Sequence, residues 1–208
     1  MLFDLLFSSP MVALAWIVAM VISISLHEFA HAWMAYSLGD NTARDLGRLT
    51  VNPLKHLDPI GTLLLVFAGF GWGRPVPFNP YNLKYQRWGP AFVSLAGPLM
   101  NIVLAFIFAL LLKVVVSYSA LPFENGLVQL LNAMIIINVV LAAFNLIPIP
   151  PLDGSKILYA FLPARALGAV MAFERWGSYL LIFVVIFAGS LFGAFFNTVV
   201  QWVYGLIF

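Results

Sequence analysis

The chain has 208 residues, of which 63% are hydrophobic and only 9% are charged. A soluble domain averages about 25% charged residues, so this composition excludes an ordinary soluble protein and predicts an integral membrane protein. The net charge of +2 argues against nucleic-acid binding, and the absence of cysteine excludes disulfides and thiolate metal sites. Any metal ion must therefore be held by His, Asp, Glu or water.

The first long apolar run, residues 11–38, predicts a spanning helix that lies between Pro10 and Gly39. A span needs roughly 20 apolar residues, proline suits the first turn of a helix, and glycine suits its end. The last third of this run carries SLHEFAH, which places three ionisable side chains where polar groups are costly to bury. Ionisable residues inside a span indicate a functional site.

The HEFAH motif has the spacing of a zinc site. His27 and His31 are four residues apart, so they share one face of a helix and can bind one zinc ion. Glu28 adjoins the first histidine and can act as general base toward a metal-activated water. The alternative is a chance match in which the histidines bond to neighbouring helices. The rarity of the pattern and its membrane setting favour the metal site.

The polar segment that follows, residues 39–59, is rich in turns, and GRLTVNP within it predicts a short strand. The apolar segment 59–73 is short for a span and rich in glycine, so we expect it to be re-entrant or partly buried. The closely spaced prolines of RPVPFNP exclude a helix there and allow only an edge strand or an extended loop.

Three later apolar runs predict further spans, over residues 90–117 and 126–147 and within residues 177–207. The last run is longer than one crossing needs. We therefore expect an all-α integral membrane protein with about four spanning helices, formed as one domain over residues 1–208. Its core covers residues 11–156, and 177–207 forms a C-terminal membrane helix region.

Lys and Arg are unevenly distributed among the loops. Residues 39–90 hold six of them and residues 152–176 hold three, whereas residues 118–125 hold none. Because cytoplasmic loops carry the excess of Lys and Arg, we expect these two basic segments in the cytoplasm and the N-terminus outside. This orientation brings HEFAH and the LDG motif of residues 152–154 to the same, cytoplasmic, side.

Two residues are candidates for the third zinc ligand that a hydrolytic site usually has. His56 lies in a polar, proline-bounded loop beside Lys55, where a solvated histidine is the simpler interpretation. Asp153 ends the third span at the expected depth of HEFAH, where the prolines of PIPPLDG break the helix. Its alternative role is to cap the next helix. The shared depth favours Asp153.

Three motifs in order, HEFAH, AGPLMN at 96–101 and NLIPIPPLDG at 145–154, resemble the site-2 protease family of intramembrane zinc metalloproteases. The short chain is similar to the compact prokaryotic members that lack a PDZ domain. The resemblance implies one Zn2+ per chain, bound by His27, His31 and Asp153, with Glu28 as the base.

The resemblance also implies roles for two asparagines. Asn145 matches the asparagine that positions substrate or stabilises the oxyanion, and an amide donor suits that charge. Asn101 is expected to pair across helices, with Gly97 permitting close approach. GRLTVNP and GFGWGRPVPFNP are similar to the small membrane-associated β element of the family. Its edge could pair with an unwound substrate.

The implied function is cleavage of transmembrane segments of substrate proteins near the cytoplasmic face of the cell membrane, with the lipid bilayer and these substrates as partners. A metal-ion transporter is one alternative, but it would require acidic groups along a path across the bilayer. Glu124 and Glu174 lie towards the ends of the spans instead. A non-catalytic metal-binding scaffold is the other alternative, and it has no need of Glu28.

Overall fold

The structure, a computed structural model, describes residues 2–68, 71–119 and 121–207. These residues form nine α-helices joined by turns and loops. In chain order the helices are α1 (Leu2–Ser8), α2 (Pro10–Ser37), α3 (Thr42–Asp45), α4 (Pro59–Ala68), α5 (Gly89–Tyr118), α6 (Gly126–Asn145), α7 (Asp153–Phe161), α8 (Leu167–Phe187) and α9 (Gly189–Ile207).

Within the described residues four helices, α2, α5, α6 and α8, are long and apolar enough to cross a membrane. The shortest has 20 residues and the longest has 30. At 1.5 Å per residue even the shortest reaches about 30 Å, the thickness of the hydrocarbon core. The prediction of an all-α, multi-pass membrane protein is therefore confirmed.

The fourth span differs from its prediction. The apolar run expected over residues 177–207 is divided into α8 and α9, and α8 begins at Leu167 rather than at residue 177. Glu174 and Arg175 interrupt the apolar pattern, but they are good helix formers and do not end the helix. The division falls at Ala188, directly before Gly189, and α9 then packs back against α5 and α6.

The predicted β element is not supported. The described residues contain no strand, and the only pairing among them is an isolated antiparallel bridge between Leu57 and Gly73. GRLTVNP forms turns instead: Gly47 has a φ of 65°, and the Asn52 side chain accepts a hydrogen bond from the Leu54 N–H. Such local bonds compete with strand pairing. Residues 69 and 70 of GFGWG lie outside the described residues.

The predicted re-entrant segment, residues 59–73, begins with helix α4. The Asp58 carboxylate accepts a hydrogen bond from the Gly61 N–H at 2.8 Å, as expected for a residue that caps a helix. The ten residues of α4 rise only about 15 Å, which is half of the hydrocarbon thickness. This helix cannot cross the membrane alone, and its re-entrant placement stays a prediction.

Helices α2, α5 and α6 pack against one another and form the core of the protein, and α7 packs against α5. Small residues line their contacts and let the backbones approach closely. The buried set includes Ala15, Ala19, Ala30, Ala35, Ala91, Ala96, Gly97, Ala105 and Ala109. Met134 and Ile135 of α6 fill the remaining space and are at most 1% exposed. This close packing lets side chains from three helices meet.

Candidate metal centre

Helix α2 presents His27 and His31 on the face that packs against α5. Both side chains are buried, and their Nε2 atoms lie 2.9 Å apart. The His31 Nδ1 atom lies 2.7 Å from the Val93 carbonyl oxygen of α5, and the His27 Nδ1 atom lies 2.6 Å from Asn101 Oδ1 of the same helix. Both imidazoles therefore use Nδ1 for hydrogen bonds, and their two Nε2 atoms face each other.

Asp153, the first residue of α7, completes this cluster. Its Oδ2 atom lies 3.3 Å from Nε2 of His27 and 3.3 Å from Nε2 of His31. That oxygen is buried and has no hydrogen-bond partner among the described residues. A Cβ at Gly154 would lie 2.5 Å from the Ile147 carbonyl oxygen, so only glycine lets the turn before α7 close tightly enough to bring Asp153 here.

The donor set fits a zinc ion. Ligand atoms about 2 Å from a tetrahedral zinc stand roughly 3.3 Å apart, close to the spacings among these three side chains. The orphaned Asp153 oxygen is the kind of buried polar atom that requires a cation or a hydrogen-bond donor. Gly97 borders the same point, since a Cβ there would overlap His31 and lie 2.6 Å from His27 Cε1. A larger residue at position 97 would occupy the space of the ion.

Burial alone would raise the pKa of the Asp153 carboxyl. The electrostatic attraction of the neighbouring His31 side chain outweighs it and holds that pKa below its ordinary value. An ionised carboxylate is the form that binds a cation.

Glu28 lies beside the cluster. Its carboxylate accepts a hydrogen bond from the Val76 backbone N–H at 3.1 Å. Val76 belongs to the extended segment, which we define as residues 71–78. This segment is attached to the rest of the chain by the Arg74 N–H, which donates to the His56 carbonyl at 2.7 Å. Arg48 also donates to the Arg74 carbonyl.

A cavity of about 280 Å³ adjoins the three ligand candidates and Glu28. Asn145 lies on its wall near the end of α6, and one amide hydrogen of Asn145 bonds to the Leu141 carbonyl at 3.0 Å. Other wall residues come from α2, α5, α6, α7 and the extended segment, and include Ile24, Trp72, Val76, Ser94, Phe144, Leu152 and Lys156. The cavity leaves open space directly beside the cluster.

His56, the other candidate for third ligand, lies apart from this cluster. Its side chain is fully buried, and its Nε2 atom lies 2.6 Å from the Thr50 carbonyl oxygen. The group of potential metal ligands found in the described residues comprises His27, His31 and Asp153 and does not include it. The geometry therefore brings Asp153, and not His56, to the two histidines of HEFAH.

Comparison with known proteins identifies the family. Residues 114–188 match the family described as Peptidase family M50. YwhC of Bacillus subtilis (strain 168) is 42% identical over 178 residues, covering 84% of this chain and 80% of YwhC. The chain belongs to the M50 peptidases, the site-2 protease family. It is therefore a membrane zinc metalloprotease, and the family predicted from its motifs is confirmed.

More distant M50 relatives agree with this identification. Rip2 of Mycolicibacterium smegmatis (strain ATCC 700084 / mc(2)155) is 31% identical over 86% of this chain and 69% of its own length. Zinc metalloprotease MJ0392 of Methanocaldococcus jannaschii is 28% identical over 71% of this chain, but only 34% of its own length is covered. No solved structure matches the chain.

Sequence reasoning missed three groups near the centre of this M50 peptidase. Asn138 and Ser23 are both 0% exposed and join the Asn101 side chain in a chain of hydrogen bonds. The sequence does single out Asn138 and Ser23, because each is a polar residue inside an apolar run. The Val76 N–H, which donates to Glu28, is a backbone group, so the identity of residue 76 gives no indication of it.

Proposed function

We propose that this M50 peptidase hydrolyses peptide bonds within transmembrane segments of its substrates, using His27, His31 and Asp153 as zinc ligands and Glu28 as general base. The observation that carries the proposal is the convergence of three ligand atoms, 2.9 to 3.3 Å apart, beside Glu28 on the wall of one cavity.

Each proposed ligand has one atom free for the metal. Zinc, when bound, supplies a Lewis acid that activates water near neutral pH. The two histidines offer Nε2 because Nδ1 of each is engaged with α5. Asp153 offers its orphaned Oδ2. These three side chains would hold the ion, the number of protein ligands found in other hydrolytic zinc sites.

Glu28 acts on protons rather than on the metal. It follows His27 in the chain, and its side chain faces the same cavity. As general base it takes a proton from the attacking water, and it then delivers a proton to the leaving amine. The Val76 N–H donates to one carboxylate oxygen and keeps the base oriented, while the other oxygen exchanges protons with water and the leaving amine.

Asn145 is proposed to stabilise the negative charge that develops on the scissile carbonyl oxygen. Its amide nitrogen carries two hydrogens, and the bond to Leu141 uses one of them. The other hydrogen can point into the cavity. A donor preorganised toward a developing oxyanion typically contributes about 10²- to 10³-fold to the rate.

We further propose that cleavage occurs toward the cytoplasmic face. The proposed ligands lie at the end of α2 that enters residues 39–90 and at the start of α7, and both regions are rich in Lys and Arg. Such loops are retained on the cytoplasmic side. A substrate helix must unwind before its peptide bonds become accessible, because its own hydrogen bonds enclose them.

The direct test uses purified protein in lipid vesicles and a synthetic transmembrane peptide. We expect cleavage that stops after treatment with a chelator and returns when zinc is added back. Mapping of the cut should place it within the transmembrane segment, toward the end that faces the cytoplasm. Cleavage that survives complete removal of zinc, or a cut confined to the soluble flanks of the peptide, would contradict the proposal.

A further inference from the structure

Three buried polar side chains connect His27 to the centre of the helix bundle. Asn101 Oδ1 of α5 lies 2.6 Å from His27 Nδ1, and Asn101 Nδ2 donates to Asn138 Oδ1 of α6 at 2.7 Å. Asn138 Nδ2 donates to Ser23 Oγ of α2 and to the Met134 carbonyl, each at 2.7 Å. Ser23, Asn101 and Asn138 are all 0% exposed. The chain of bonds therefore begins and ends on α2.

The direction of these bonds is determined by the Met134 carbonyl. A backbone carbonyl only accepts, so the part of the Asn138 amide that faces it must be the NH₂ group. The Asn138 oxygen then faces Asn101 and requires a donor there. Asn101 in turn presents its oxygen to His27, which must donate from Nδ1.

The consequence for His27 is that its Nε2 lone pair is free. In a neutral imidazole one nitrogen carries the hydrogen and the other accepts, so a hydrogen held on Nδ1 leaves Nε2 as the ligand atom. Nε2 is the atom that faces His31 and Asp153. His31 also carries its hydrogen on Nδ1, because that atom contacts the Val93 backbone carbonyl directly.

We propose that Asn101 and Asn138 are positioning residues that fix the ring orientation and the hydrogen placement of His27, so that its Nε2 faces the zinc ion. This inference rests on the proposed function, in which His27 is a zinc ligand. Buried amides are costly in a membrane protein unless every group is bonded. Leucine of similar size would pack these three helices without that cost. Partners in the outer shell of a metal site commonly orient its histidines in this way.

The first test measures zinc affinity by competition with a chelator. Asn101→Leu and Asn138→Leu should each weaken zinc binding roughly 10- to 100-fold, the range for outer-shell partners. Asn132→Leu is the matched control, because Asn132 lies on the same helix as Asn138 but bonds to Tyr204 instead. It should leave zinc affinity unchanged. Asn101→Asp keeps an acceptor toward His27 and should bind zinc more tightly than Asn101→Leu.

The second test reads the hydrogen bond itself by NMR of zinc-loaded protein labelled with ¹⁵N-histidine. The sequence has three histidines, so the spectrum is simple. The Nδ1–H signal of His27 should shift and exchange faster with solvent in Asn101→Leu and in Asn138→Leu. The His31 signal depends on a backbone carbonyl and should stay in place, as should the His56 signal. General loosening of the fold would move all three signals.

The outcomes separate the positioning role from the zinc site. If Asn138→Leu matches Asn132→Leu in both zinc affinity and the His27 signal, the positioning role of Asn138 is wrong. If His31 and His56 change together with His27, the asparagines are general packing residues and the inference is likewise overturned. If zinc leaves the His27 Nε2 resonance of the wild-type protein unchanged, the proposed ligand set fails, and the positioning role fails with it.

Discussion

The carboxylate of Glu28 accepts a hydrogen bond at 3.1 Å from the backbone N–H of Val76, 48 residues later in the chain. The bond joins α2 to the extended segment, residues 71–78. Asn79, the residue directly after that segment, is held at Asp40, just beyond the end of α2, because Asp40 Oδ2 accepts from the Asn79 N–H at 2.7 Å. The chain around the extended segment is thus attached at two points, to Glu28 within HEFAH and to Asp40 just after α2.

Asp40→Asn should release this attachment. The Asp40 side chain is fully buried and accepts bonds from the Asn79 N–H, from Asn82 Nδ2, and from the N–H and hydroxyl of Thr42. An amide NH₂ in place of one oxygen would face these donors without a bond. We expect a loss of about 1–3 kcal/mol in the free energy of unfolding. Denaturation in detergent measures it, and a variant as stable as wild type would contradict this role.

The same carboxylate predicts a dependence on pH. Burial alone would raise the pKa of Asp40, but hydrogen bonds from Thr42, Asn79 and Asn82 outweigh it and hold the pKa below its ordinary value. A depressed pKa stabilises the fold above the pKa of the unfolded carboxyl, about 3.9, and this contribution is lost as the pH falls through the folded pKa. The stability difference between wild type and Asp40→Asn should be full at pH 7 and shrink below pH 4. A constant difference across that range would exclude Asp40 as its source.

Gly97→Ala should empty the metal centre. The added Cβ would overlap His31 Nε2 and lie 2.6 Å from His27 Cε1, where the two ligand atoms face the ion. We expect purified Gly97→Ala protein to contain far less zinc than wild type. Gly193→Ala in α9 is the matched control, because no described atom lies within 4 Å of the added carbon, and it should retain its zinc. Equal zinc content in both variants would show that position 97 has room to spare.

Asp153→Ala and His56→Ala should differ sharply in zinc content. Asp153 Oδ2 lies 3.3 Å from both histidine nitrogens, whereas the His56 ring bonds to the Thr50 carbonyl. Removal of a direct ligand should weaken zinc binding by more than the roughly 10- to 100-fold typical of outer-shell changes. The measurement is metal content per protein after dialysis against a weak chelator. A zinc-loaded Asp153→Ala protein beside an empty His56→Ala protein would reverse the assignment.

The proposed orientation can be tested with single cysteines, since the chain has none of its own. Gln86, Arg165 and Glu124 are all exposed, so cysteines at these positions are accessible to reagents. A membrane-impermeant thiol reagent should label positions 86 and 165 from the cytoplasmic side and position 124 from the opposite side. Labelling of positions 86 and 165 from different sides would rule out the arrangement derived from the Lys and Arg distribution.

The parts of the site that could be predicted from the sequence depend on local spacing or on chain order. His27 and His31 follow from the four-residue spacing of one helix. Asp153 follows from its place after a span that is expected to return to the same side. The first three spans follow from apolar runs of sufficient length. Each of these inferences uses information carried by a short stretch of sequence.

The parts that could not be predicted depend on contacts between distant residues. A strand needs a neighbouring strand to pair with. In GRLTVNP the chain instead turns at Gly47, and the Asn52 side chain caps the short helical turn that follows. Nothing in the order of residues connects Asn138 to Asn101, although both stand out in apolar runs. The bond between Glu28 and Val76 uses a backbone N–H, which every residue except proline carries.

The most direct measurement of the central claim compares Glu28→Gln with wild type, both fully loaded with zinc, in cleavage of a synthetic transmembrane peptide in vesicles. Glutamine keeps an oxygen that can accept from the Val76 N–H, but it cannot take a proton from water. Because a general base typically contributes about 10²- to 10⁴-fold, we predict that Glu28→Gln retains one zinc ion per chain and loses at least about 100-fold in cleavage rate. Cleavage near the wild-type rate by the zinc-loaded Glu28→Gln protein would contradict the account.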